Sequence, residues 1–227
     1  MRSLRKDAAR TRERLLAAAN EIFAVRGFKD AKVAEICRKA RANVAAVNYH
    51  FGSKERLYVE AWRHAFQRSL KKHPPDGGVA PDASVEERLR GRILSIMRRI
   101  SDPDTHEFEI IHKEMANPTG LLAKALHESI GPIREGFSSI VRELLGAKAT
   151  EQQVRLCQMS IKAQCFGPML RVRRRKKSPQ GNRLPGPPPL EMKVEDLADH
   201  ITRFSLAGIR EIRRQAARPQ RRRRHSR

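Results

Sequence analysis

Apolar residues in this chain recur at spacings of three and four, with neither the two-residue alternation of a β-strand nor an internal repeat. The spacing is clearest between residues 31 and 55. There Val33, Ile36, Cys37 and Ala40 occupy positions i, i+3, i+4 and i+7, which predicts a short helix with one buried face. The pattern as a whole predicts an all-α protein.

A second short helix is predicted after a tight turn at residues 41–43. Asn43 is suited to cap this helix, because its side-chain oxygen can accept a hydrogen bond from an amide at the helix start. The helix, residues 44–50, begins with small residues and ends with Asn48, Tyr49 and His50. Two helices joined in this way are typical of a helix-turn-helix, whose slim second helix can enter the major groove of DNA.

Two longer helices flank this pair. One is predicted at residues 7–26 and ends at Gly27, a residue type that often closes helices in a left-handed conformation. The other is predicted at residues 53–72, and Ser53 can cap it. Its apolar residues lie on two sides, which suits a helix that packs against the DNA-binding domain on one side and a second domain on the other.

The second half of the chain follows a linker at residues 73–83 that is rich in proline and glycine. Capping boxes that begin at Ser84 and Thr150 mark two helix starts. The helices of this half are predicted near residues 84–100, 104–116, 119–130, 132–145, 150–166 and 194–214.

Composition distinguishes two further segments. Residues 171–190 and the chain end from residue 217 are too rich in Arg, Pro and Gly to pack, so we expect a mobile loop and a disordered tail. The predicted organisation is an N-terminal three-helix helix-turn-helix DNA-binding domain (1–53), a connecting helix (54–73), a C-terminal helical domain (84–216), a basic loop (171–190) and a basic tail (217–227).

The net charge of +23 is unevenly distributed. Residues 1–72 carry 18 Lys and Arg against seven Asp and Glu, residues 73–170 carry 12 against 13, and residues 210–227 carry nine against one. A polyanionic partner fits this asymmetry. A charged face on any single helix is also explained by simple exposure to solvent.

Three cysteines, Cys37, Cys157 and Cys165, form an odd set without CxxC spacing. This argues against a disulfide framework and a zinc site, and for a reducing compartment. No stretch approaches the roughly 18 apolar residues of a membrane span. The basic N-terminus is not followed by the apolar region of a signal peptide. We therefore predict a cytoplasmic protein.

Four motifs in the N-terminal region occur together: TRERLL at residues 11–16, FAVRGF at 23–28, VAEI at 33–36 and YHFGSKE at 49–55. Their combination is far more specific than a lone helix-turn-helix pattern. Over residues 11–62 the chain resembles the DNA-binding domain of the TetR family of one-component transcriptional regulators.

The second half resembles one TetR subgroup that has its own C-terminal domain. The matching motifs are EMANPT at residues 114–119, SIVRELLG at 139–146, QVRLC at 153–157 and DHITRFSLAG at 199–208. The resemblance implies a homodimer in which the two final long helices of each subunit form a four-helix interface. It also implies a regulator, most often a repressor, that a small-molecule effector releases from a palindromic operator.

The predicted DNA-binding residues lie in and around the second helix of the helix-turn-helix. Side chains predicted to face base edges are Asn43, Val44, Ala45 and Asn48. Side chains predicted to hold phosphates are Lys32, Tyr49, His50 and Lys54.

Four positions depart from the family pattern. Arg41 stands where the family usually has the turn glycine, and a left-handed backbone there would cost Arg about 1–2 kcal/mol relative to Gly. Ala42 replaces a larger apolar residue, which reduces packing under the turn. Lys32 replaces a Ser or Thr and cannot cap the helix that follows. Asn48 replaces a frequent Tyr and could bind adenine through both amide groups.

Two sets of residues are predicted in the C-terminal effector-binding and dimerisation domain. An effector pocket could be lined by Phe108, Ile111, Met115, Phe137, Met159, Gln164 and Cys165, which mix apolar surface with a few polar atoms. Ordinary core packing is the alternative for each of them. A dimer interface could use Leu197, Ile201, Phe204 and Gly208, which could equally belong to the core of a monomer.

Other chemistry has little support in the sequence. His106 and Glu107 begin like a zinc protease motif, but Ile110 stands where the second His belongs. We find no glycine-rich phosphate loop and no Ser or Cys nucleophile with a recognisable base, and we predict neither an enzyme nor a cofactor. A rival hypothesis is a DNA-coating protein that binds through its basic loop and tail without sequence preference.

Overall fold

The structure is a computed structural model that describes residues 2–177 and 192–217. Within these residues the chain forms nine helices and no strand, which confirms the all-α prediction. The helices are α1 (Arg2–Asp30), α2 (Val33–Ala40), α3 (Val44–Phe51), α4 (Lys54–Lys72), α5 (Val85–Ser101), α6 (Glu107–Ala116), α7 (Ala123–Leu145), α8 (Glu151–Lys177) and α9 (Val194–Ala217). None of these helices is long and apolar enough to cross a membrane.

The chain divides into two compact units. The first consists of Met1–Pro74 with Asp102–Pro132, and the second consists of Pro75–Ser101 with Ile133–Arg227. Helix α6 and the first part of α7 therefore join the first unit, although the sequence placed them in the C-terminal domain. They do so because buried side chains of α6, such as Ile110, contribute to the first core.

Helix α4 lies at the centre of the first unit. Tyr58 and Trp62 are fully buried, and the Tyr58 ring lies 4.8 Å from the Phe23 ring of α1 in an edge-on arrangement. On the side of α6, the Tyr58 hydroxyl donates a hydrogen bond to a carboxylate oxygen of Glu114 at 3.0 Å. The two-sided apolar pattern of α4 is thus met by α1 and α6 inside one unit.

Glycine changes the course of α1 three residues before its end. Gly27 has φ 74° and ψ −177°, which breaks the helical backbone where the sequence predicted the helix to end. The chain then turns so that the ring of Phe28 packs 5.2 Å from that of Tyr58. A residue with a Cβ would be strained at this φ.

The predicted helix boundary at residues 131–132 is absent from the structure of α7. The sequence predicted two helices that meet at residues 131–132, whereas α7 runs through Pro132 without interruption. Proline usually excludes helical geometry from the preceding residue because its ring contacts that residue's Cβ. Gly131 has no Cβ, so part of this conflict is absent.

The predicted start of the basic loop at residue 171 also differs from the structure of α8. It continues to Lys177, so residues 171–177 are helical and not part of a loop. Those seven residues contain only Arg, Lys and Val, and Arg and Lys are good helix formers. The Pro and Gly residues on which the loop prediction rested all follow Lys177. The remainder of the predicted loop, and the tail from residue 218, lie outside the described residues.

The second unit has one hydrophobic core, to which α5, α7, α8 and α9 contribute. Its fully buried members include Leu89, Ile93, Val141, Cys165 and Ala198. Arg–carboxylate pairs surround this core, such as Arg90 with Asp199 at 2.6 Å between α5 and α9. Such exposed pairs individually contribute little to stability.

A buried carboxylate holds the end of α4 in the first unit. Asp102, whose side chain is 5% exposed, accepts from Lys72 at 2.8 Å and from the His73 ring at 2.7 Å. Burial alone would raise the pKa of Asp102, but hydrogen bonds from Lys72, the Asp104 amide and His73 outweigh it and lower the pKa from 3.8 to about 2. The charged form is therefore the stable form in the folded protein.

We expect Asp102→Asn to lower the free energy of unfolding by about 1–2 kcal/mol at pH 7. A depressed pKa stabilises the fold above the unfolded value near 4, and this contribution is lost as the pH falls towards 2. The variant and the wild type should therefore converge in urea denaturation between pH 4 and pH 2. The matched control is Asp104→Asn, because Asp104 binds the same lysine but its side chain is 70% exposed. An equal loss in both variants would contradict the prediction.

Candidate nucleic-acid interface

The turn between α2 and α3 is formed by a left-handed residue. Arg41 has φ 51° and ψ 49°, and it is the one non-glycine residue with positive φ in the described part of the chain. Its amide donates to the Arg38 carbonyl at 3.2 Å, and the Ala42 amide donates to the Cys37 carbonyl at 3.0 Å. This pair of bonds is the Schellman ending of a helix, which glycine adopts most easily. The fold therefore requires at position 41 a conformation that Arg adopts only with strain.

Asn43 starts α3 as predicted. Its side-chain oxygen accepts a hydrogen bond from the Ala45 amide at 3.0 Å. One lone pair of that oxygen is thus engaged in the helix cap, which leaves the amide nitrogen as the freer polar atom of the side chain. By contrast, Lys32 precedes α2 without a side-chain cap, as its residue type predicts.

Helix α3 has one buried and one exposed face. Val47 and Phe51 are buried in the first unit and fix the helix in position. The opposite face is exposed and comprises Val44, Ala45, Asn48 and Tyr49. Tyr49 is 80% exposed, an unusually large aromatic surface for a residue held on a short, well-fixed helix. The structure brings these four residues together on one accessible surface.

The other predicted phosphate-binding residues differ in their surroundings. Lys32 is exposed, and His50 lies between the rings of Tyr49 and Phe51 at centroid distances of 4.9 Å and 6.1 Å. Lys54 is folded onto α1, with its ammonium 4.6 Å from the Phe28 ring centroid and 3.4 Å from the Lys29 carbonyl oxygen. Lys54 would have to leave this resting position to reach a phosphate.

Cations near the helix-turn-helix fall into two groups. Arg26 and Lys39 pair with Glu35 and Glu21 at 2.8 Å and 2.6 Å. Arg41 is exposed, and among the described residues it has no ion-pair partner. In the sequence, Arg41 was identified only as a departure from the turn glycine. Its position as a cation directly before the slim helix is the signal that could have marked it as a candidate DNA-binding residue.

The predicted effector-pocket residues are divided between the two units. Phe108, Ile111 and Met115 belong to α6 in the first unit, and the other four belong to α7 and α8 in the second. Those four residues lie in different surroundings. Phe137 and Cys165 are part of the core, Met159 is 61% exposed, and Gln164 donates to the Ser205 hydroxyl of α9 at 3.4 Å. Core packing, the alternative stated for each residue, applies to Phe137 and Cys165.

The predicted dimer-interface residues lie on two different faces of α9. Ile201 is 2% exposed within the core of the second unit, and Leu197 packs against that core. Their spacing on α9 matched an apolar stripe, but this stripe faces inward. Phe204 is 64% exposed, and a Cβ added to Gly208 would meet no atom within 4 Å. These two residues lie on the outward face of α9.

A second outward surface was missed in the sequence. On α8 the small or apolar residues Leu156, Ser160, Ala163 and Gly167 follow one another at spacings of three and four and are all exposed. Phe204, Ala207 and Gly208 of α9 are also exposed, and we call the two sets together the α8–α9 outward surface.

Two family models match this chain. Residues 15–61 match the model for bacterial regulatory proteins of the tetR family, and residues 85–209 match the C-terminal domain of the HTH-type transcriptional dual regulator CecR. The second model covers more than half of the chain. The protein belongs to the TetR family of DNA-binding transcriptional regulators, with a C-terminal domain of the CecR type.

Individual relatives are distant. The chain is 24% identical over 149 residues to the HTH-type transcriptional regulator SrpR of Pseudomonas putida and 25% identical over 153 residues to the dual regulator CecR of Shigella flexneri. These matches cover 65% and 63% of this chain, and 65% and 68% of the relatives. A TetR-like regulator from Rhodococcus sp. RHA1 has the same fold, with a TM-score of 0.62 at 18% identity over 88% of this chain and 96% of that one.

We expect Arg41→Gly to raise the free energy of unfolding by about 1 kcal/mol, because glycine adopts the left-handed conformation without strain. Thermal and urea denaturation would measure the change. The control is Arg41→Lys, which keeps both a side chain and a charge at this φ and should leave stability near that of the wild type. A glycine variant that is no more stable than the lysine variant would show that the turn imposes no strain.

Proposed function

We propose that this regulator binds DNA as a homodimer and that each subunit places α3 in a major groove of a roughly palindromic operator. The observation that carries the proposal is the exposed face of α3. It combines two small residues with Asn48 and Tyr49 on a helix fixed by Val47 and Phe51. A slim helix can approach base edges closely, and twofold symmetry of the protein would match that of the operator.

The side chains have different tasks in this proposal. Val44, Ala45 and Asn48 face base edges, and Asn48 binds one base through its amide groups. Asn43 contributes chiefly through its amide nitrogen, since its oxygen already accepts the hydrogen bond that caps α3. Lys32, Tyr49, His50 and Lys54 hold phosphates, which position the protein without reading sequence.

We add Arg41 to the phosphate-binding residues. Its guanidinium is exposed beside the start of α3, and strained backbone conformations persist mainly where they serve a function. The Arg41→Gly variant should therefore gain stability while its affinity for DNA falls severalfold. The lysine variant, which retains the charge, should bind nearly as tightly as the wild type.

The α8–α9 outward surface supports the proposed dimer. Its small and apolar residues would let two pairs of helices approach closely, and Phe204 supplies a large apolar side chain that is 64% exposed in one subunit. Twofold pairing of this surface would bury an apolar patch that is otherwise in contact with water.

Repression and release complete the proposal. A regulator bound at an operator acts on DNA in the cytoplasm, and a small molecule bound by the second unit would reduce its affinity for the operator. Such an effector acts only through its different affinities for the DNA-bound and free conformations, typically 1–3 kcal/mol of coupling.

Selection from a random duplex library at near-physiological salt tests the function directly. We expect one palindromic motif, with Asn48→Ala relaxing the preference at one base position by about 1–3 kcal/mol.

Lys54→Ala should instead weaken binding to all sequences and lower the salt dependence by about one phosphate contact. A chain ended at residue 217 should keep its operator preference. If no motif is recovered and the shortened chain loses most of its affinity for DNA, a coating protein that binds without sequence preference would be favoured.

We expect Phe204→Asp to weaken dimerisation at least tenfold, because a charge would be buried in the proposed interface. Sedimentation velocity at several concentrations measures the effect, and circular dichroism verifies that the variant is folded. The matched control is Val25→Asp, since Val25 is 62% exposed but lies on α1 of the first unit. If the Phe204 variant remains as dimeric as this control, the interface lies elsewhere.

A further inference from the structure

A row of carboxylates from residues 102–128 binds helix α4 along most of its length. All of these contacts lie within the first unit. From the end of α4 towards its start, the bonded pairs are Asp102 with Lys72, Asp104 with Lys72, Glu107 with Ser69, Glu128 with Arg63 and Glu114 with Tyr58. We call these five acidic residues the carboxylate row. They restrain α4 from its second turn to its last.

The segment that carries the carboxylate row has a particular place in the chain. Residues 102–132 belong to the first unit, whereas residues 75–101 before them and 133–227 after them belong to the second. Helix α7 begins inside this segment and continues beyond it. The helix behind the helix-turn-helix is thus held by a segment that the second unit flanks in sequence on both sides.

Glu114 is the member of the row that binds nearest the start of α4. Besides the Tyr58 hydroxyl at 3.0 Å, its carboxylate accepts hydrogen bonds from the Thr119 amide at 2.9 Å, the Thr119 hydroxyl at 2.8 Å and the Gly120 amide at 3.0 Å. Gly120, with φ 75°, lies in the turn that leads to α7. A single carboxylate of α6 therefore joins α4 to this turn.

Tyr58 connects this carboxylate to the DNA-binding side of the unit. Its ring lies 5.2 Å from the ring of Phe28, and the Phe28 ring in turn supports the Lys54 ammonium at 4.6 Å. Lys54 is the first residue of α4, about one helical turn before Tyr58, and α4 follows α3 after only two residues. A displacement of Tyr58 would therefore move the position of Lys54 and the start of α4.

Asp102 acts at the opposite end of the same helix. Its partner Lys72 is the last residue of α4 and lies about 21 Å from Tyr58 along the helix axis. Loss of this contact should lower the stability of the fold without displacing the start of α4. Asp102→Asn is therefore the matched control for a change at the Glu114 end.

We propose that Glu114 is a positioning residue for DNA binding. Through the hydroxyl of Tyr58 it fixes the first turns of α4, and thereby the placement of α3 and Lys54. Glu114 itself does not contact DNA. The proposal rests on the proposed function in taking α3 as the helix that enters the major groove, and it adds a residue of α6 to those that determine affinity.

Amide hydrogen exchange of the full chain without DNA tests the positioning. Tyr58→Phe keeps the ring and removes the bond to Glu114, which retains its bonds to the turn. We expect exchange in residues 44–58 to become at least about threefold faster. Asp102→Asn should accelerate exchange near residues 69–73 and leave residues 44–58 as in the wild type. Unchanged exchange in residues 44–58 of the Tyr58 variant, or equal acceleration there in both variants, would overturn the proposal.

Fluorescence anisotropy with the selected operator duplex tests the consequence. Tyr58→Phe should bind at least about threefold more weakly than the wild type, whereas Asp102→Asn should bind as the wild type does, although it is less stable. Glu114→Ala should lose at least as much affinity as Tyr58→Phe. The double variant should bind no more weakly than Glu114→Ala alone, because both changes remove one link.

Additive losses in the double variant would show that the two residues act separately and would overturn the positioning role. Should Glu114→Ala not fold, the comparison of Tyr58→Phe with Asp102→Asn decides by itself. If the library yields no motif, the proposed function fails, and the exchange measurement still tests Glu114 because it contains no DNA. If a motif is found but the Tyr58 and Asp102 variants bind it equally, the positioning role alone fails.

Discussion

The burial of Tyr58 is the constraint on which the first unit depends. Its ring packs against Phe23 and Phe28 of α1, and its hydroxyl donates a hydrogen bond to Glu114 of α6. Glu114 in turn accepts from the amides of Thr119 and Gly120. One side chain on α4 thereby fixes the helices behind the helix-turn-helix, and burial together with the Glu114 carboxylate raises the pKa of Tyr58 far above 10, so its hydroxyl remains a donor.

Helix α3 is too short to be stable by itself, and its function depends on this support. Tertiary packing of Val47 and Phe51, the Asn43 cap and the turn at Arg41 replace the stability that length would provide. The outward face is left exposed, as the proposed contact with DNA requires. At position 41 the turn favours glycine, whereas the proposed contact with phosphate favours a cation.

The two units distribute charge differently. Around the helix-turn-helix, Lys32 and Arg41 are exposed and have no ion-pair partner among the described residues, which suits a surface that binds a polyanion. In the second unit several described carboxylates pair with arginines of another helix, for example Glu195 with Arg98 and Asp199 with Arg90. Net charge alone, at +23, could not distinguish these two arrangements.

Local sequence by itself determined the helical class, the caps at Asn43 and Ser53, the exposed face of α3 and the family, because these depend on residues within one or two helical turns of each other. Tertiary structure decided the rest. Only packing showed that α6 belongs to the first unit, that Ile201 faces inward and that Phe204 faces outward. Both residues lie on one amphipathic helix, and a helical pattern cannot state which of two apolar stripes another helix will cover.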